Sequence, residues 1–312
     1  MNRGFTLIEL SIVLIIVGLI AGGILVGRDL ISAAYIRAQM SQIEKYQTAV
    51  HTFQTKYNCL AGDCTNAQDA GLAYVQGYSP GPGYGDGNGI LQGYDIATAL
   101  TTPVSGLEVE VGEPALFWAQ LSGAGLIDGS FTLAAQGDPG CEALVTTVST
   151  LNGTHQGCTD RTIANYMPVA KIGTSGVYVC AYSFGSTNYF SVVALREIGT
   201  DEGGDSPMGS PQNPGLTVQQ AYAIDTKMDD GLPLSGHVIT QMPTNYIDAG
   251  TLSYPGSGNT NGISGAPDNA TPVMGDSTTC YDNNNGAEPV QHYSTQIDGG
   301  NDNNCALSFP FQ

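Results

Sequence analysis

Between Phe5 and Gly27 the chain reads FTLIELSIVLIIVGLIAGGILVG, 23 residues interrupted by a single charge, Glu9. A helix of about 20 apolar residues spans the hydrocarbon core of a bilayer. Any fold for this chain must therefore keep a helix of that length away from water. A carboxylate at the head of such a run is costly in lipid and calls for a partner. An ordinary secretory signal peptide, with Arg3 as its basic region and residues 10–26 as its apolar region, would not put one there. A plain single-pass anchor leaves it unexplained.

The helical pattern continues past the apolar run. Ile36, Ile43, Val50 and Tyr57 recur every seven residues, with Met40, Tyr46 and Phe53 on the same side. Arg37, Gln39, Gln42, Glu44, Lys45 and Gln47 separate them as polar residues. No proline occurs before Pro80, and Asn58 offers a stop. Residues 5–57 then predict a rod of roughly 80 Å at 1.5 Å per residue. Its first half is apolar on all sides, as suits lipid or neighbouring helices. Its second half carries one stripe, which predicts packing onto the protein's own head. Gly18, Gly22, Gly23 and Gly27 lie in the apolar half, where glycine weakens a helix but lets helices approach closely.

Only 12% of the 312 residues are charged, about half the usual share, and the net charge is −19. Nine Lys and Arg form no basic patch, which argues against direct nucleic-acid binding. All seven cysteines follow the apolar run and none has C-x-x-C spacing, so disulfides in an oxidising compartment are the expected use. The expected pairs are Cys59–Cys64, Cys141–Cys158 and Cys280–Cys305, although sequence leaves the connectivity open. Cys180, inside the strand-like run VYVCAY, is expected as a buried thiol.

The run Gly4-Phe5-Thr6-Leu7-Ile8-Glu9-Leu10, behind a short basic leader, resembles the processing site of type IV prepilins and type II secretion pseudopilins. The resemblance covers about residues 1–57. It implies that a prepilin peptidase cuts between Gly4 and Phe5 and methylates the new amine of Phe5. It further implies that Glu9 and Phe5 act together in filament assembly. The expected organisation is a leader at 1–4, a long helix at 5–57 with 5–27 spanning the membrane, and an extracytoplasmic head at 58–312. Physical chemistry reaches the same pairing independently. A carboxylate in a dry helix bundle needs a charged or hydrogen-bonding partner, and the amine of a neighbouring Phe5 is available. Many related pilins carry a proline in the apolar half, and this chain has glycines there instead.

In the head, turn-rich sequence fills residues 58–112, with GYSPGPGYGDGNG as the densest cluster. Helices are predicted at 113–121 and near 217–229, the latter from the capping-box pair Thr217 and Gln220. Strands are predicted at 176–184 and 189–196 around a turn at 185–188, and at 236–242. The segments GDGNG at 85–89, EPALFWAQLSGAGLI at 113–127 and IDTKMDDG at 224–231 resemble large subunits of the pseudopilin kind. That resemblance implies an α+β fold, with an antiparallel sheet packed on the second half of the long helix.

Catalytic patterns fail on chemistry. Gly77-Tyr78-Ser79-Pro80-Gly81 matches G-x-S-x-G, but Pro80 has no N–H to offer an oxyanion. His51, His155, His237 and His292 have no paired metal spacing. Calcium is the one candidate cofactor, and none is required: Asp86 and Asn88, and Asp282 and Asn284, alternate oxygen side chains beside glycines. Asn/Asp/Gly turns without metal have the same composition.

The sequence thus reads as a non-enzymatic filament subunit. Its expected partners are other pilin-like subunits, the prepilin peptidase, an inner-membrane assembly platform and, before assembly, lipid. The expected location is the inner membrane first and a periplasmic or surface filament afterwards. The alternative reading is a tethered or filament-tip binding protein whose head recognises a surface or carbohydrate.

Overall fold

The computed structural model describes residues 7–74, 85–94, 103–105, 113–132, 158–159, 163–173, 176–195, 197–198, 214–243, 252–253, 280–282, 292–296 and 298–312. The expectations for Gly4, Phe5, Ser79, Cys141, His155 and Asn284 lie outside these residues.

Helix α1 runs unbroken over Leu7–Tyr57, about 77 Å at 1.5 Å per residue. It stops where the sequence predicted: Asn58 has a φ of 58°, a left-handed conformation that Asn tolerates, and its N–H bonds Gln54 O at 2.8 Å. Ile36, Ile43, Tyr46, Ala49, Val50 and Phe53 are buried, so the predicted stripe is the face that packs on the head. Met40 and Tyr57 are only partly buried. Gln39 and Gln42, read from sequence as polar separators, are instead buried clasps. Gln39 Oε1 accepts from Lys171 N at 2.7 Å, and Gln42 Nε2 donates to Val169 O at 2.9 Å.

After two short strands, β1 (Gln92–Tyr94) and β2 (Pro103–Ser105), comes helix α2, Glu113–Gly123. Strand β3 (Cys158–Thr159) pairs with β6 (Glu197–Ile198). Between them lies the main hairpin, β4 (Val177–Phe184) and β5 (Thr187–Ala194). Helix α3 spans Val218–Met228 and begins with the predicted capping box: Thr217 Oγ1 accepts from Gln220 N at 3.1 Å, and Gln220 Oε1 accepts from Thr217 N at 3.0 Å. The short strands β7 (Met242–Pro243), β8 (Leu252–Ser253), β9 (Tyr281–Asp282) and β10 (His292–Tyr293) follow, then β11 (Leu307–Pro310).

The central sheet is antiparallel and three-stranded, in the order β11-β5-β4, which makes the fold α+β as expected. Its two outer edges each take one more bridge: Val169 pairs with Tyr178 beside β4, and Ile239 pairs with Ser308 beside β11. Tyr46 of α1, Phe117 and Trp118 of α2, Phe190 of β5 and Phe311 form one aromatic cluster, with ring centroids 4.2–6.0 Å apart. Aromatic pairs at such spacings add packing energy beyond their buried area. Disulfides join Cys59 to Cys64 and Cys280 to Cys305, as expected. Cys180 is buried in β4 with its sulfur 3.7 Å from that of Met167.

Two local expectations need correction. The hairpin turn is Gly185-Ser186 alone, because Thr187 pairs with Phe184 and Asn188 with Ser183. Asn188 is drawn into the strand by its own amide, which accepts from Leu91 N at 2.9 Å and donates to Gly89 O at 2.8 Å. The strand expected over 236–242 is reduced to the Ile239 bridge and short β7. Gly236 has a φ of 79°. The Asp229 carboxylate also accepts the N–H groups of His237 and Val238, which a strand ladder would need.

Candidate functional site

The first feature is what α1 leaves uncovered. From Leu7 to Ile31 its large apolar side chains face outward, Leu19 with 72% and Leu7 with 88% of its surface exposed. Among the described residues this is the one helix long and apolar enough to cross a membrane, and none of its most apolar stretch is buried. Soluble monomers rarely expose a contiguous apolar patch beyond a few hundred Å², so this surface is built for lipid or for other helices. Gly18, Gly22, Gly23 and Gly27 have nothing within 4 Å of a Cβ built on them, which leaves room for close approach by another helix. Glu9 is exposed in the first turn of α1. A carboxylate there also favours the positive end of the helix dipole.

The second feature was not legible as a site. Asp63, in the loop closed by the Cys59–Cys64 disulfide, meets Asp86 of the GDGNG segment and Glu113 at the start of α2, with carboxylate oxygens within 4.8 Å of one another. Asp63 and Glu113 are almost fully buried. Asp63 accepts from Gly87 N and Gly89 N, both at 2.6 Å. Glu113 accepts from Gly85 N at 3.0 Å, Asp86 N at 3.4 Å and Gln92 N at 2.7 Å. The two carboxyls thus clip the 85–92 loop between the disulfide loop and α2. Gly85 cannot be replaced simply: its φ is 92°, and a Cβ would lie 2.4 Å from Cys64 O.

Burial raises the Glu113 pKa to about 9, and the neighbouring Asp63 charge pushes it the same way. Burial also raises Asp63, against the pull of its two backbone donors. At neutral pH the pair therefore keeps a proton, as two close buried carboxyls do.

Of the sequence-predicted calcium ligands, Asp86 and Asn88 face each other. Asp86 accepts from Asn88 N at 3.0 Å and from Asn88 Nδ2 at 2.9 Å, a local turn. Asp282 sits in β9, remote in sequence from that turn. A second acidic group, Asp225, Asp229 and Asp230, holds the loop after α3. Asp225 accepts from Tyr293 Oη at 2.7 Å and Gly231 N at 3.1 Å, and burial raises its pKa to about 6. Asp63, Asp86, Glu113, Asp225, Asp229 and Asp230 each accept N–H or O–H groups of a nearby loop or strand, which makes them structural clasps.

No curated protein and no solved structure matches the chain. Residues 1–25 match the family described as the prokaryotic N-terminal methylation motif. The matched stretch includes Gly4, Phe5 and Glu9 and most of the apolar half of α1. This chain therefore carries, ahead of an α+β head, the signature of the type IV pilins and pseudopilins.

Proposed function

We propose that the chain is a structural subunit of a type IV pilus or a type II secretion pseudopilus, cut between Gly4 and Phe5, methylated on Phe5 and assembled through α1. The observation that supports this best is one continuous helix, Leu7–Tyr57, whose motif-bearing half is wholly unburied and whose other half packs in the head. The unburied half suits membrane anchoring before assembly. On assembly the same surface leaves lipid for neighbouring helices, and Glu9 meets the methylated amine of a neighbouring Phe5. The peptidase and the inner-membrane platform act on the chain, which is their substrate and carries out no chemistry itself. The assembled subunit lies in a periplasmic or surface filament.

Material sheared from cells that express the chain, with antibody labelling seen by electron microscopy, tests this reading. Labelled filaments are expected. The periplasmic fraction of the same cells is labelled alongside, and chain confined to the membrane in assembly-competent cells, with no filament in either the sheared or the periplasmic material, would contradict it.

A further inference from the structure

A large net charge opposes self-association, and cations placed where copies meet reduce that repulsion. After residue 57 only Arg161, Lys171, Arg196 and Lys227 are basic, in a chain of net charge −19. Two exposed lysines, Lys45 of α1 and Lys171, converge on a groove of about 1,020 Å³ between α1 and the segments at 126–131 and 164–171. Glu44 and Asp128 also line it, so the groove is charge-balanced on an otherwise acidic molecule. Its floor holds buried Gln42, whose Nε2 donates to Val169 O at 2.9 Å and so ties α1 to the groove's far wall. Its rim holds Val169, 49% exposed, on the outer edge of β4.

The opposite edge of the sheet is complementary. Beyond β11 lies the loop after α3, which leads to the Ile239–Ser308 bridge and carries half-buried Asp229 and exposed Asp230. On α3 itself Tyr222 is 40% exposed. One edge thus offers two lysines and an apolar rim, and the other offers two carboxylates, the exposed Lys227 in the last turn of α3 and an exposed aromatic ring. Two different complementary patches on one molecule give a head-to-tail contact, which generates a helical filament when the rotation does not close.

We propose that the groove between α1 and Lys171 receives the Asp229–Asp230 loop of a second copy of this chain. This rests on the filament reading and names the contact between heads. Opposite charges at such a rim set register and partner choice more than affinity.

The test uses full-length chain in assembling cells, with Ala164→Cys in the groove and His237→Cys in the loop after α3 made singly and together, which leaves Lys45, Lys171, Asp229 and Asp230 in place. A short bifunctional thiol crosslinker is applied to intact filaments. The double variant is expected to give a ladder of dimers, trimers and longer species. Co-expressed single variants should give dimers only, and each single variant alone should stay monomeric. Filaments that form normally in the double variant without crosslinked species would overturn the groove assignment and leave the filament reading standing. Crosslinking by one single variant alone would show a symmetric contact, which also overturns it. Lys45→Glu with Lys171→Glu, added to the double-cysteine variant, should abolish the ladder, and retention of the ladder would contradict the role of charge. Absence of filaments in unmodified cells would instead count against the filament reading itself.

Discussion

Glu9→Gln is expected to leave a chain that inserts in the membrane and is still cut after Gly4, yet forms few or no filaments. The substitution keeps size and some hydrogen bonding and removes the charge. If Glu9 merely tolerated the bilayer, losing the charge would help, because a carboxylate near the membrane centre costs roughly 3 kcal/mol. If Glu9 pairs with the methylated Phe5 amine of a neighbour, the amine is left without its counter-charge in a dry helix bundle. Breaking such a buried pair typically costs about 3–5 kcal/mol. The loss recurs at each subunit contact, so a modest change per pair becomes a large change in filament length. Electron microscopy of sheared material, beside a blot of the membrane fraction, separates the two cases. Normal filament number and length would defeat the pairing.

The second large effect concerns pH. Glu113 and Asp63 both have folded pKa values above their unfolded values, Glu113 at about 9. The folded state therefore holds protons that the unfolded chain gives up at lower pH. The resulting stability is fully present below the unfolded carboxylate range and is lost as pH rises through about 9. Each unit of separation is worth about 1.4 kcal/mol. Thermal melting of detergent-solubilised chain should fall steadily from pH 5 to pH 9.5. Glu113→Gln should flatten that slope, since an amide imitates the neutral acid and cannot ionise. The variant also loses an acceptor for one of the Gly85, Asp86 or Gln92 N–H groups, at a cost of about 1 kcal/mol where the slope begins. A melting temperature of the unmodified chain that is flat over this range would show that the pair is ionised in the folded state.

Local chemistry made much of this molecule legible. The 23-residue apolar run, the absence of proline and the Ile36–Ile43–Val50 spacing determine α1, and Asn58 ends it at the expected residue. Thr217 and Gln220 cap α3 through contacts only three residues apart. Long-range partners were not legible. Gln39 and Gln42 read as solvent-facing until the 169–171 segment, more than 120 residues away, is seen to need their amides. Asn188 reads as a turn residue, and only Gly89 and Leu91 reveal it as a strand residue. The Asp63–Glu113 pair joins positions 50 apart with no shared motif. Its one local hint is a glutamate before Pro114 at a helix start, where the dipole favours a negative group.

The central claim is that this chain is a processed filament subunit, and the mature N-terminus tests it most directly. Mass spectrometry of the N-terminal peptide should find a chain that begins at Phe5 and carries one extra methyl group on its amine. A retained Met1, or a terminus created by cleavage at Ala21 or beyond, would contradict it.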